Sequence, residues 1–138
     1  MRFMIPVIGS LIETFHRMLY NHLTTNPTLH HTTFLHLGNP HYINFRSIDL
    51  DFLRLFGPKL ESHRLFPERT NVEFVWQDCH RDDLFHLLVY ERGCGITNAC
   101  SAGAAATLWL LHELGLVAAG VKIEIAMLGG CVTGWVQD

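Results

Sequence analysis

Cys100 stands just ahead of a run, Ala102–Leu114, in which only His112 and Glu113 are strongly polar. Ala, Leu and Trp form helices readily, and no proline interrupts them. The run therefore predicts a helix with Cys100 at its N-terminus. Free N–H groups and the helix dipole favour an anion there, and the same surroundings lower a thiol pKa toward thiolate. Ala99 and Ser101 are small, so a ligand carboxylate can approach the N–H groups of Ser101, Ala102 and Gly103. A carboxylate held there, with a thiol beside it, suits proton abstraction from the carbon α to that carboxylate. A few residues upstream lies Glu91-Arg92. Arginine forks a carboxylate and glutamate accepts an ammonium, a pairing that fits the two ends of an amino acid. Taken singly, Cys100 reads as a small buried hydrophobe and Glu91-Arg92 as a solvated pair. Their proximity to one helix start favours chemistry.

Other polar residues join this set more weakly. His41 follows Gly38-Asn39-Pro40 and reads as a turn histidine, bonded to backbone or serving as an acid/base group near neutral pH. Asn39 and Asn71 flank turns, where asparagine is ordinary. They become binding groups only beside a polar ligand. His16, His22, His30, His31, His36 and His41 crowd the start of the chain. Their gaps are irregular and include no HExxH pair, so no metal is expected, and a metal-binding role for this histidine-rich start is a distant third reading, testable by metal analysis. Cys79, Cys94 and Cys131 read as structural, and no CxxC spacing occurs. Met1–Ile12 is interrupted by Pro6 and Gly9 and does not resemble a secretory signal. The cysteines are expected to be reduced thiols of a cytoplasmic protein.

The elements that must position these residues follow from pattern. Leu11, Ile12, Phe15, Met18 and Leu19 recur at helical spacing after Ser10, and Asn26-Pro27 makes a turn. Leu29–Leu37 and Tyr42–Phe45 read as strands, with Asn39 and His41 on the tight turn between them. Ile48–Leu60 is an amphipathic helix expected to stop at Gly57-Pro58. Val72–Trp76 and Leu84–Tyr90 are strands, the second delivering Glu91-Arg92. Val121–Ala126 and Cys131–Val136 are strands joined by a Gly129-Gly130 hairpin, and Gly115 caps the preceding helix. That helix is apolar on nearly every side, so it belongs in an interior. At about thirteen residues it falls short of the roughly 20 that span a bilayer. The expected fold is an α+β domain, mixed strands wrapped around a central buried helix. The composition, 49% hydrophobic and 17% charged over 138 residues, is that of one globular domain. A net charge of −3 and the lack of a basic run argue against nucleic acid.

Four stretches, in order, resemble the C-terminal half of the diaminopimelate epimerase family. They are Gly38-Asn39-Pro40-His41, Phe66–Phe74, Tyr90–Cys100, and Leu128-Gly129-Gly130 with Trp135. The resemblance covers roughly residues 35–136 and leaves the first 34 weakly matched. It implies a metal- and cofactor-independent isomerase interconverting LL- and meso-diaminopimelate, on the route to lysine and peptidoglycan. In that family two homologous domains close on the substrate, and two cysteines face opposite sides of the α-carbon. The resemblance makes Cys100 the second-domain acid/base, with Glu91 and His41 setting thiol protonation. It gives Asn39, Asn71, Glu91 and Arg92 the distal amino acid end, and Ser101 and Ala102 the reacting carboxylate.

The sequence departs from that pattern in places. Ser101-Ala102-Gly103 replaces the usual Gly-Thr-Gly, Ile96 replaces a glutamate, and Leu128 replaces a proline. The N-terminal half, with its MCGNG-like segment, has no counterpart. Residues 1–138 are thus expected to be a single C-terminal domain, inactive in epimerisation by itself and paired with a complementary domain or a second copy. The alternatives are another cofactor-independent racemase or isomerase of this fold, such as a proline racemase-like protein, and a degenerate domain that binds without catalysis.

Overall fold

The computed structural model describes residues 2–6, 32–36 and 38–137. The helix and turn expected over residues 10–28, with His16, His22, His30 and His31, lie outside the described residues. The described strands are β1 (Arg2–Pro6), β2 (Thr32–His36), β3 (Pro40–Phe45), β4 (Asn71–Gln77), β5 (Leu84–Glu91), β6 (Gly95–Ile96), β7 (Ile123–Met127) and β8 (Gly130–Gln137). The described helices are α1 (Leu50–Glu61) and α2 (Ser101–Glu113). One mixed sheet runs β1-β8-β7-β5-β4-β3-β2, with β6 paired to β5. Strands β3 and β4 are parallel, as are β5 and β7. Helices α1 and α2 provide the crossovers that parallel pairs require.

Alternation along the strands separates two cores. Phe85, Leu87 and Val89 of β5 pack with Ile43, Val75 and helix α2. Leu88 and Tyr90 face the other way, with Tyr42, Val72, Phe74 and Leu53 of α1. A period of two along a strand produces this division. Helix α2 touches β8 and β1 toward one end of the sheet and β4 and β3 toward the other. One helix reaches strands so far apart in the order only because the sheet curls into a half-barrel on that face. The fold is accordingly mixed α+β. Gly103, Ala104 and residues 106–111 of α2 are buried, as its apolar surface demands.

Helix ends follow local chemistry. Asp49 caps α1 by accepting from the Phe52 N–H at 2.8 Å. The helix does not stop at Gly57-Pro58 as expected; it runs to Glu61. Pro58 costs a backbone bond to the preceding turn, but the last turn is secured by the Ser62 N–H and hydroxyl donating to Pro58 O. Helix α2 ends in a Schellman motif. Gly115, at φ 75°, donates to His112 O, and Leu116 donates to Leu111 O. The β7–β8 loop is Leu128-Gly129, with Met127 opposite Gly130.

Gly57 lies against the ring of Tyr90. A Cβ there would fall 2.6 Å from Tyr90 Cδ2 and 3.0 Å from Tyr90 Cβ. In a free helix Gly→Ala stabilises by about 1 kcal/mol. Here the clash is with the root of a side chain and should cost about 1–3 kcal/mol, so the clash wins. Gly57→Ala is expected to lower the urea midpoint. A midpoint at or above the parent's would mean that Tyr90 yields freely.

Candidate active site

The site is assembled where β3 and β4 begin and β5 ends. Parallel pairing sets His41 beside Asn71 and Ile43 beside Glu73. Ile43 and Val75 face α2, so His41, Asn71 and Glu73, each an even number of residues away on its strand, face it too. On β5 the same parity carries Glu91, two residues after the α2-facing Val89. The first turn of α2 arrives over this end of the sheet. A Cβ on Gly103 would lie 3.0 Å from Glu73 Oε1 and 3.3 Å from Cys100 Sγ. The missing side chain lets the helix start settle onto the carboxyl group.

Hydrogen bonds tie these residues together. His41 Nδ1 lies 2.6 Å from Glu73 Oε1, and His41 Nε2 lies 2.9 Å from Asn39 Oδ1. The His41 and Glu73 side chains are fully buried. Asn71 Nδ2 donates to Pro40 O at 3.2 Å, and its Oδ1 accepts from the Arg92 N–H at 2.8 Å. Asn71 therefore ties the start of β3 to the turn after β5, and its side chain is occupied with backbone. The Arg92 guanidinium donates to Glu68 O at 3.2 Å. The Gly103 N–H donates to Cys100 Sγ at 3.3 Å, which makes the thiol the N-cap of α2. Ser101 and Ala102 are exposed beside it.

Two expectations need correction. His41 is not on a turn; it lies inside β3, with 0% exposure. Parallel pairing with β4 extends β3 back to Pro40, a constraint that no local signal carries. The helix start also does not lower the Cys100 thiol pKa. Burial pushes it up, the Gly103 N–H opposes this, and the charges of Glu73 and then Glu91 raise it further. The Ala102 N–H makes the smallest, opposing contribution. Desolvation and two acids outweigh the dipole.

Glu73 is the residue that motif reading passed over. Burial raises its carboxyl pKa, His41 pulls the other way by charge and hydrogen bond, and Glu91 adds to the rise. A signal was available. Glu73 is a lone acid among Val72, Phe74, Val75 and Trp76, and a charge in a doubly covered strand needs a partner. Cys79, Cys94 and Cys131, read as structural, are free and exposed. Three clefts on the described surface are lined by other residues, one of about 390 Å³ between Phe34, Pro40, Phe66 and Arg69. Cys100 itself is buried, 6% exposed, with Ser101 and Ala102 exposed beside it. Among the described residues no group of three His, Cys, Asp or Glu could hold a metal, and no helix is long and apolar enough to cross a membrane.

The diaminopimelate epimerase family profile matches residues 33–138. Proteins named diaminopimelate epimerase show the same relation. That of Bacteroides thetaiotaomicron is 44% identical over 106 residues, 74% of this chain and 37% of that protein. That of Phocaeicola vulgatus is 51% identical over 105 residues, 71% of this chain and 34% of that protein. A Bacillus cereus relative is 34% identical over 140 residues, 97% of this chain and 46% of that protein. The chain thus spans between a third and a half of the length of these relatives. Among solved structures, a Bacillus anthracis phenazine biosynthesis protein of the PhzF family aligns with a TM-score of 0.49 at 17% identity, over 69% of this chain and 29% of that one. With its family profile matched from residue 33 to residue 138, the chain belongs to the diaminopimelate epimerase family.

Proposed function

We propose that this chain is the C-terminal domain of a diaminopimelate epimerase, strands gathered around α2, and that it supplies one of two thiols to the α-carbon. The observation that carries this reading is the placement of Cys100 at the start of α2, at the sheet end that brings His41, Glu73 and Glu91 together. The substrate carboxylate meets the N–H groups of Ser101 and Ala102. Arg92, held by Asn71, and Asn39 with Glu91 take the distal amino acid end. Cys100, with Glu91 and His41 as its helpers, moves the α-proton on one face. The thiol resting protonated suits the donor half of the reaction. Inversion needs a second group on the opposite face, from a complementary domain or a second copy. No step is assigned to a metal or cofactor.

The test is α-hydrogen exchange of diaminopimelate in D2O, read by mass spectrometry beside Cys100→Ser. Exchange above the serine variant is expected, rising with pH as thiolate forms, with little change in the LL-to-meso ratio. Equal deuterium uptake by both proteins would remove Cys100 from proton transfer. Inversion as fast as exchange would show that the chain needs no second domain.

A further inference from the structure

We propose that Glu73 is a positioning residue of this site, holding the His41 ring in one orientation and keeping the Cys100 thiol protonated from across the space left open by Gly103. This deepens the proposed function and rests on it for the identity of the ligand. An amide oxygen only accepts, so with Asn39 Oδ1 against it His41 Nε2 carries a hydrogen. One proton then lies between Nδ1 and Glu73 Oε1 at 2.6 Å, and the ring is clamped from both sides. The same Oε1 lies 3.0 Å from where a Gly103 Cβ would be, and Cys100 Sγ lies 3.3 Å from that point. Glu73 Oε2 is buried with no hydrogen-bond partner. A carboxyl with an unsatisfied oxygen is expensive inside a protein.

The groups facing the thiol are Glu73 from β4, Glu91 from β5, and the Gly103 and Ala102 N–H groups from α2. His41 from β3 faces Glu73. Removing the Glu73 charge while keeping its shape should therefore ease thiolate formation. The experiment follows alkylation of Cys100 by iodoacetamide against pH, resolved from the other cysteines by peptide mass mapping, in the parent and Glu73→Gln. A shift of half a pH unit, about a threefold faster reaction near neutrality, is expected at tenfold per unit. A folded Glu73→Gln with an unchanged profile overturns the proposal. Ring nitrogen-15 shifts of His41 in the unaltered chain give a readout independent of the variant's folding. One fixed tautomer is expected, and a mixture of the two overturns the clamp. Neither readout uses an amino acid ligand. A failed diaminopimelate exchange would thus leave this inference standing, and its own failure would leave the exchange standing.

Discussion

Glu73→Ala will lower the stability of the domain by about 3–5 kcal/mol, the usual cost of breaking a buried ionisable pair from one side. The substitution leaves His41 fully buried, with Nδ1 facing a void where a carboxyl stood 2.6 Å away. Surface ion pairs of this chain, such as Arg54 with Asp51, are worth far less because water screens them. Glu73→Gln keeps the volume and can still hydrogen-bond the ring, so its loss should stay near 1–2 kcal/mol. Urea unfolding of the three proteins measures the difference. Equal midpoints for alanine and parent would mean that the pair contributes nothing. The pH dependence has a definite sign. Burial raises the folded-state pKa of Glu73 above its ordinary value. Stability from this group is therefore present below the ordinary glutamate range and is lost as pH rises through the folded value. In Glu73→Gln that decline with pH should disappear.

Much of this arrangement was legible in the chain, and the rest was hidden for a common reason. Helix α2 was readable because Ala102–Leu114 has no breaker, and Gly115 was readable as its cap because only a residue tolerant of positive φ ends a helix so sharply. The β5 strand, its delivery of Glu91 and the position of Cys100 followed from local pattern too. His41 did not. Gly38-Asn39-Pro40 reads locally as a turn, yet His41 is drawn into β3 by β4, some thirty residues away. The end of α1 is not legible because Pro58 breaks helices by local rules, while Gly57 packs on Tyr90 of β5 and Glu61 accepts from the Gly93 N–H, which holds the last turn. The thiol's protonation is not legible because the dipole is local to α2, whereas burial and the charges of Glu73 and Glu91 are set by strands packed against it. Where one element sets a property, the sequence displays it; where pairing between distant strands sets it, the sequence does not.

Trp109→Ala should produce a loss of comparable size, about 3–5 kcal/mol, and should also weaken the site from a distance. Trp109 is 1% exposed and sits in the core between α2 and the sheet. Helix α2 is apolar on nearly every side, so its stability comes from burial rather than from an amphipathic face. Against a total of about 5–15 kcal/mol for an ordinary domain, such a loss raises the unfolded fraction by about two to four powers of ten. Trp109→Phe separates two contributions. The indole Nε1 is buried with no hydrogen-bond partner, a burden of about 1–3 kcal/mol. Phenylalanine removes that burden while giving up part of the packing, so its net change should stay within about 1–2 kcal/mol of the parent. Trp76 and Trp135 remain as fluorescence probes of unfolding in both variants. Cys100 alkylation under native conditions supplies the functional readout. Cys100 lies nine residues before Trp109 at the start of the same helix, about 13.5 Å at 1.5 Å per residue. The indole therefore acts on the thiol only by holding α2 in place. Alkylation should accelerate in Trp109→Ala in proportion to the unfolded fraction and change far less in Trp109→Phe. A phenylalanine variant as unstable as the alanine one would mean that the indole N–H has a partner in solution and that packing alone does not hold α2 over the sheet.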